Sequence, residues 1–387
     1  MLDEMPAFLR AIAEEVRGFR QHAQIPTDLE SGWQAYMARA RQCVPGLTVN
    51  PEQATVCLGE LSPGCQACKD GTWDCLFVTK KCNLNCSFCY SPPGLPEDYA
   101  GSAFGESPAE IADNYTRTRI TGISFSGGEP FLQPDRLLSW AAWFRERFPA
   151  SYLWIYTNGT QVEDSTLQQL GMLKIDEIRF NTAATGYDNR TVMEVMRRAA
   201  GRFGRLTVEI PAIPEHAQKL RDCLAKWADL GVRTLNLHEL LYEPGTNSWE
   251  MDSPRQQICL ADGHLTAVHP ASRELILEIL SQVQRDGLPL AVNHCSLPNK
   301  IHQIRGRRLS LLPLTQAPYE KLVAGEWLES CCLYDGQGQM LNVHPDHLLE
   351  MRQHYPGFRW VRLARTAPLG VQDPGRWVVF EPEGEDA

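Results

Sequence analysis

The chain has 387 residues, of which 43% are hydrophobic and 22% charged, and it carries a formal net charge of -10. Its length allows one large core or one barrel domain with additions. The acidic balance argues against broad binding to a phosphate backbone, so we expect no clear nucleic-acid partner. No stretch is as long as a membrane span and residues 1–20 lack a secretory pattern, which predicts a cytoplasmic protein without a membrane partner.

The first 56 residues predict a helical extension. Apolar residues recur at helical spacing over Phe8–Val16 and again over Leu29–Met37. A second feature of the chain is its thirteen cysteines. Without an export signal, so many thiols favour metal or redox chemistry over a disulfide framework.

Four of these cysteines fall within residues 57–75. A C-x2-C pair lies among them, which is a common arrangement of metal ligands. The segment therefore predicts an auxiliary site for a second iron–sulfur cluster or a zinc ion, with buried, unliganded thiols as the alternative. The four candidate ligands are Cys57, Cys65, Cys68 and Cys75.

Cys82, Cys86 and Cys89 form a C-x3-C-x2-C pattern directly after the apolar run Cys75–Thr79, which predicts a strand. Iron–sulfur clusters usually take four cysteine ligands. A cluster held by three of them keeps one iron open for a small molecule, by the logic of open metal sites. Zinc would also accept these ligands, so the loop alone leaves two interpretations.

A second motif, Gly127–Gly128–Glu129, follows the apolar run Ile120–Phe125. Glycines let the main chain approach a ligand closely, and a carboxylate suits an ammonium group. In this order and separation, the loop and the motif together resemble the radical S-adenosylmethionine (radical SAM) family. The passage Cys295–Arg305 is similar to a segment of radical SAM proteins related to pyruvate formate-lyase activating enzymes.

The resemblance implies that S-adenosylmethionine (SAM) binds the open iron of a [4Fe–4S] cluster held by Cys82, Cys86 and Cys89. It also implies an electron donor such as flavodoxin or ferredoxin. Reductive cleavage of SAM would give a 5'-deoxyadenosyl radical that takes hydrogen from a small-molecule or peptide substrate. The cofactor-binding residues that it implies are Phe88, Tyr90, Gly127, Gly128, Glu129, Asn158, Asn181 and Glu209.

Several of these residues have an alternative interpretation. Asn158 and Asn181 follow predicted strands, where asparagine also favours turns. Glu209 lies within its predicted strand, which leaves a structural role open. Residues 242–265 are turn-rich and predict a loop over the barrel mouth.

Strand and helix patterns alternate over residues 76–300, which predicts parallel strands joined by crossover helices. Six strand runs match the partial (β/α)6 TIM-like barrel common in the radical SAM family, and a seventh apolar run spans Leu288–Val292. The predicted class is therefore α/β. The predicted domains are an N-terminal helical extension (1–56), a cysteine-rich segment (57–75), the radical SAM partial barrel (76–300) and a small C-terminal α+β subdomain (301–387).

The C-terminal subdomain shows no regular alternation. We expect strands at Leu309–Leu314, Trp360–Ala364 and Trp377–Phe380, and helices at Tyr319–Leu328 and His344–Gln353. The basic stretch Lys300–Arg308 predicts a solvated loop or an anion-binding edge. For the adjacent pair Cys331–Cys332 we expect one buried and one exposed thiol.

The sequence predicts a radical SAM enzyme whose reaction subclass stays open. The alternatives are a glycyl-radical-type activating enzyme, a radical methyltransferase and, in another class, a non-catalytic zinc or iron–sulfur binding module. Catalytic candidates are His238 and His294, which follow strands and suit acid–base chemistry, and the thiol of Cys332.

Overall fold

The computed structural model describes residues 5–22, 29–91, 94–260 and 264–382. The chain divides into two compact units. The larger unit consists of Asp28–Gln257 and Thr266–Gly306, and the smaller one of Met1–Thr27, Ile258–Leu265 and Arg307–Ala387. This division separates the two helices of the expected extension 1–56, so the four-domain division stays a prediction.

Helices and strands account for most of the described chain. The helices are α1 (Ala7–His22), α2 (Leu29–Cys43), α3 (Pro63–Lys69), α4 (Pro108–Tyr115), α5 (Pro134–Arg147), α6 (Asp164–Met172), α7 (Arg190–Ala199), α8 (Ala217–Asp229), α9 (Ser272–Arg285), α10 (Leu297–Thr315) and α11 (Leu348–His354). None of these described helices has the length and apolar character needed to cross a membrane.

The strands are β1 (Thr48–Asn50), β2 (Thr55–Leu58), β3 (Trp73–Thr79), β4 (Gly122–Gly127), β5 (Tyr152–Thr157), β6 (Glu177–Phe180), β7 (Arg205–Ala212), β8 (Thr234–Glu239), β9 (Leu241–Tyr242), β10 (Gln256–Cys259), β11 (Leu265–Val268), β12 (Ala291–Cys295), β13 (Lys321–Val323), β14 (Trp327–Tyr334), β15 (Met340–Val343), β16 (Arg359–Thr366) and β17 (Trp377–Pro382).

The larger unit is built on one nine-stranded sheet in the order β1-β2-β12-β8-β7-β6-β5-β4-β3. Strands β3 to β8 pair in parallel with their chain neighbours, and β12 pairs in parallel with β8. Helices α4 to α9 lie between these strands in the chain, as parallel crossovers require. The predicted α/β class is confirmed, with β12 as a seventh parallel strand. The sheet is open, since no pairing of β1 with β3 closes it in the described residues.

An antiparallel hairpin that the sequence analysis missed lies at one edge of this sheet. Val49 of β1 pairs with Val56 of β2, and Cys57 pairs with Asn293 of β12. The two strands have only three and four residues, too few for a period-two pattern to stand out. The turn between them contains Ala54 with φ 46°, a conformation that non-glycine residues seldom adopt.

Apolar faces hold the helices on the sheet. All four residues of β6 are buried, as expected for a parallel strand covered on both sides; Ile178 and Phe180 are apolar, whereas Glu177 and Arg179 form a buried ion pair. Helix α7 buries residues at helical spacing and exposes its charged ones. Its buried residues are Val192, Val195, Met196 and Ala199.

The smaller unit carries a five-stranded sheet in the order β13-β14-β16-β17, with β15 paired to β14. Two predictions were wrong here. Leu309–Leu314 is the end of helix α10, because a short apolar run does not distinguish a strand from a buried helix. Tyr319–Leu328 contains β13 and the start of β14 instead of a helix. The stretch Lys300–Arg308 also lies within α10, so the expected loop is corrected to a helix.

The adjacent pair Cys331–Cys332 is buried at both positions, at 2% and 1% exposure, which corrects the expected exposed thiol. Successive side chains of a strand point to opposite faces, and both faces of this sheet are covered. Cys332 packs with Leu9 of α1, and Cys331 with Val343 of β15.

Candidate active site

The three clustered cysteines lie in a loop that leaves the carboxyl end of β3. Cys82 is exposed, and Cys86 and Cys89 are half-buried. A turn brings the backbone N of Cys89 to 3.2 Å from the Cys86 carbonyl oxygen, and the Leu84 N–H donates to Cys82 Sγ at 3.5 Å. Partly open thiols at the end of a parallel strand are where this fold class places ligands.

The Gly127–Gly128–Glu129 motif fastens the base of that loop. The backbone N–H of Gly128 donates to the Thr79 carbonyl, and that of Glu129 to the Lys81 carbonyl, both at 2.8 Å. A Cβ on Gly127 would lie 2.1 Å from the Thr79 oxygen, and one on Gly128 would lie 2.1 Å from the Lys81 oxygen. Both glycines are therefore needed because β4 runs against the chain directly before Cys82.

The carboxylate of Glu129 links the end of β4 to the end of β5. Its oxygens accept from Thr157 Oγ1 at 2.8 Å, the Asn158 N–H at 2.7 Å and the Phe131 N–H at 3.2 Å. The side chain is fully buried, and burial raises the pKa of Glu129 to about 7 despite these donors. Its contact with a cofactor amino group stays a prediction, while its structural role is clear from these bonds.

Asn158 binds the cysteine loop directly. Its Nδ2 donates to Asn83 Oδ1 at 3.0 Å, and Asn83 Nδ2 donates to Thr160 Oγ1 at 2.8 Å. Asn158 Oδ1 also accepts from the Thr160 N–H at 2.9 Å. The residue next to Cys82 is therefore tied to the end of β5.

A second anchor comes from the segment after β9. Asn247 Nδ2 donates to Asn85 Oδ1 at 2.6 Å and to the Cys86 carbonyl at 3.1 Å. The backbone N–H of Ser248 donates to the Cys89 carbonyl at 3.0 Å. The sequence analysis missed Asn247 and Ser248, because its only signal here was a turn-rich stretch expected over the mouth.

The two aromatic residues that flank Cys89 have different surroundings. Phe88 packs against an apolar cluster, whereas Tyr90 is 49% exposed. The Lys300 ammonium lies 4.9 Å from the centre of the Tyr90 ring, within cation–π range. The apolar cluster around Phe88 consists of Ile213, Leu240, Tyr242, Trp249, Met251 and Ala267.

Several charged side chains of β6, β7 and β8 are buried and bonded to one another. Arg179 donates to both oxygens of Glu177 at 3.0 Å, to Glu209 Oε2 at 2.8 Å and to the Tyr156 hydroxyl at 3.2 Å. The His238 Nε2 lies 2.8 Å from Glu209 Oε1. Burial alone would raise the pKa of Glu209. Arg179 and His238 lower this pKa by more than burial raises it, so the net shift is downward and the carboxylate is ionised.

Asn181 has a local role in the structure. Its Oδ1 accepts from the Ala184 N–H at 3.3 Å and caps the short 3₁₀ turn Thr182–Thr185. This is the turn function that the sequence analysis gave as the alternative. A contact of Asn181 with SAM, like that of Glu209, stays a prediction.

The two remaining catalytic candidates, His294 and Cys332, belong to different units of the chain. His294 is fully buried, with Nδ1 3.0 Å from the Tyr36 hydroxyl of α2 and Nε2 3.3 Å from Glu239. It faces the helical layer, which favours a structural role. Cys332 lies in the apolar core of the smaller unit, where burial raises the pKa of its thiol to about 11; its catalytic role stays a prediction.

The four upstream cysteines sit on three elements: Cys57 on β2, Cys65 and Cys68 on α3, and Cys75 on β3. Burial raises the pKa of Cys57 to about 11 and that of Cys65 to about 12.

In the described ranges, no three His, Cys, Asp or Glu side chains surround a single metal-ion position. This holds for Cys82, Cys86 and Cys89 as well as for the upstream cysteines. Each cysteine of a [4Fe–4S] cluster binds a different iron, so its sulfurs do not have to converge on one point. The donor chemistry and partial exposure of Cys82, Cys86 and Cys89 fit such a cluster; the auxiliary site stays a prediction.

Comparisons with known proteins agree with this geometry. A family described as a 4Fe-4S single cluster domain matches residues 69–181, the part that holds the cysteine loop, the Gly-Gly-Glu motif and Asn158. A candidate glycyl-radical enzyme activating enzyme of Methanocaldococcus jannaschii is 24% identical over 292 residues, which is 73% of this chain and 76% of the relative. These two matches agree with the resemblance to the radical SAM family that the cysteine loop and the Gly-Gly-Glu motif carry.

Two further comparisons extend over less of this chain. The pre-heme d1 synthase of Dinoroseobacter shibae is 25% identical over 175 residues, 43% of this chain and 42% of the synthase. The crystal structure of SuiB from Streptococcus suis bound to S-adenosylmethionine has 13% sequence identity and a TM-score of 0.42, and covers 58% of this chain and 50% of SuiB. The matched family supports a [4Fe–4S] cluster within residues 69–181.

Proposed function

We propose that Cys82, Cys86 and Cys89 hold the cluster and that SAM binds its open iron, beside a substrate at the carboxyl ends of β3 to β8. The observation that carries this proposal is the fastening of the cysteine loop. Its base is fixed by Gly128 and Glu129, and its far end by the segment after β9. A loop held at both ends keeps its thiols in place for a ligand.

In the proposed reaction, the protein's own residues position the cluster ligands and the substrate. When bound, the cluster and SAM supply the 5'-deoxyadenosyl radical that takes a hydrogen atom. Asn158 and Asn247 hold the loop that carries the thiols. Phe88 packs into the apolar cluster and so anchors the loop next to Cys89. Arg179 and Glu209 give β6 and β7 a fixed charge pattern that orients a polar substrate.

The proposed substrate is a peptide or protein segment. The Methanocaldococcus relative is named for activating glycyl-radical enzymes, which are proteins, and it matches most of this chain. A small molecule is the second candidate, because the Dinoroseobacter relative is named for making pre-heme d1. Electrons would come from a flavodoxin or ferredoxin, in the reducing cytoplasm that an oxygen-sensitive cluster needs. Radical methyl transfer stays an alternative outcome.

Reconstitution under anaerobic conditions tests the proposal. We expect iron and acid-labile sulfide in the wild-type protein and 5'-deoxyadenosine after reduction with SAM. C82A, C86A and C89A should lose 5'-deoxyadenosine formation, because each removes one ligand of the cluster. The matched control is C223A, since Cys223 is a buried thiol on α8 with no part in the site.

Two results would contradict the proposal. The first is wild-type 5'-deoxyadenosine formation in any of the three variants. The second is stoichiometric zinc without labile sulfide, which would identify a binding module instead of an enzyme.

A further inference from the structure

The segment that follows β9, residues 243–255, is folded by its own hydrogen bonds. The Glu243 N–H donates to Ser248 Oγ at 3.0 Å, and Thr246 Oγ1 donates to the Glu243 carbonyl at 2.7 Å. Thr246 Oγ1 and Ser248 Oγ lie 2.9 Å apart, and Ser248 is fully buried. These bonds fix the turn that presents the exposed Asn247 to the cysteine loop.

Arg255 closes this segment at its other end. Its guanidinium lies 4.9 Å from the centre of the Tyr242 ring and 5.5 Å from that of Trp249, within cation–π range. The same group donates to the backbone carbonyls of Trp249 and Met251. The Tyr242 hydroxyl in turn lies 2.6 Å from Ser253 Oγ. A planar guanidinium stacks on rings and donates several hydrogen bonds at once, which a lysine ammonium does not.

The segment contacts the half of the cysteine loop that carries Cys86 and Cys89. Asn247 Nδ2 donates to the Cys86 carbonyl at 3.1 Å, and the Ser248 N–H donates to the Cys89 carbonyl at 3.0 Å. The Cys89 N–H donates to the same Cys86 carbonyl at 3.2 Å. Asn247 and Ser248 therefore bind both ends of the turn between these two cysteines.

Arg255 reaches the cysteine loop through Trp249. Trp249 and Phe88 pack against the same apolar cluster, and Phe88 directly precedes Cys89 in the chain. Trp249 also directly follows Ser248, whose N–H binds the Cys89 carbonyl. A shift of Trp249 would therefore disturb the packing and the hydrogen bond next to Cys89.

The half of the loop that carries Cys82 has separate anchors. Asn158, which follows β5, donates to Asn83 at 3.0 Å. Because different elements hold the two halves, weakening residues 243–255 should loosen Cys86 and Cys89 without releasing Cys82.

We propose that residues 243–255 form a clamp that sets the position of Cys86 and Cys89, with Arg255 as its positioning residue. Each cysteine of a [4Fe–4S] cluster binds a different iron, so the clamp governs two of the three protein-held corners. A site keeps its geometry only when the residues around its ligands are themselves locked, and Arg255 supplies that lock. This inference rests on the proposed function, since the thiols must be cluster ligands.

Amide hydrogen exchange in the full-length protein, before and after anaerobic reconstitution, tests the clamp. In R255M and N247A we expect the Cys89 N–H to exchange about fivefold faster, because each variant loses hydrogen bonds that hold its turn. R255K keeps a cation for the two rings and should fall between R255M and wild type. The control R147M removes another cation–π contact, with Trp143 on α5, and should leave Cys89 exchange unchanged.

Two further measurements separate the clamp from a general loss of stability. The Gly128 N–H, which donates to the Thr79 carbonyl, should keep its exchange rate in R255M and N247A. The electron paramagnetic resonance spectrum of the reduced cluster, recorded at matched iron content, should change in both variants and stay like wild type in R147M.

Unchanged Cys89 exchange in R255M overturns the role of Arg255, and an equal rise at Gly128 overturns a specific clamp. A wild-type spectrum in both R255M and N247A overturns the positioning of the cluster ligands. Cleavage of SAM by the wild-type preparation separates the two proposals. Its absence contradicts only the proposed function, and unchanged Cys89 exchange contradicts only the clamp.

Discussion

The two ends of the parallel sheet carry chemistry in different ways. Around β3 to β5, backbone groups and amides hold an open loop, and the key contacts are made by residues close to Cys82, such as Lys81 and Asn83. Around β6 to β12, buried charges face one another across strands, with Arg179 bound to Glu209 and Glu209 to His238. The first region is a local motif, while the second exists only because the sheet brings distant residues together.

The largest effect should come from breaking the charge network. R179M leaves Glu177 and Glu209 buried without their cation, which we expect to destabilise the protein by about 3–5 kcal/mol. The control R202M removes an exposed pair with Asp164 and should cost less than about 1 kcal/mol. Denaturant midpoints of the two variants measure the difference. Equal midpoints would mean that the buried network contributes no more than a surface pair.

That network was the part of the site that the sequence analysis could not assemble. Glu209 and His238 were candidates one at a time, but Arg179 was not, because its role depends on how β6, β7 and β8 pair. The cysteine loop and the Gly-Gly-Glu motif were predicted because each is a short pattern. The motif was predicted to bring the main chain close to a ligand. In the structure, Gly128 lies close to the backbone carbonyls of Lys80 and Lys81, a contact that the spacing of the motif does not reveal.

A substitution at the base of the cysteine loop should reduce stability less and should also weaken the retention of iron. G128A places a Cβ against the Lys81 carbonyl, a backbone atom that cannot move aside without disturbing Cys82. We expect a loss of about 1–3 kcal/mol and weaker retention of iron, measured as iron per chain after dilution. The control G32A lies in α2 with open space around its Cβ and should stabilise the helix by up to about 1 kcal/mol. Normal iron content in G128A would show that this packing does not position the thiols.

The smallest expected effect is on the pH dependence of stability, and it distinguishes His294 from His238. Both histidines were acid–base candidates in the sequence analysis on the same grounds. Burial lowers the pKa of His294 below its usual 6.5, although Glu239 raises it, whereas that of His238 is raised. At a pH between the lowered pKa of His294 in the folded protein and its usual 6.5, His294 binds a proton in the unfolded chain but not in the folded one. The free energy of unfolding therefore decreases as the pH drops below 6.5 toward the folded-state pKa. The slope is at most about 1.4 kcal/mol per pH unit for one proton.

H294N should flatten this acid slope, because asparagine keeps an acceptor for Tyr36 without a titrating group. The comparison is the pH dependence of the unfolding midpoint in wild type and H294N between pH values of about 5 and 7. An unchanged slope would place the titration on another group and remove the argument that His294 is buried in its neutral form. A flattened slope would assign this part of the acid sensitivity to His294, which the fold buries in its neutral form.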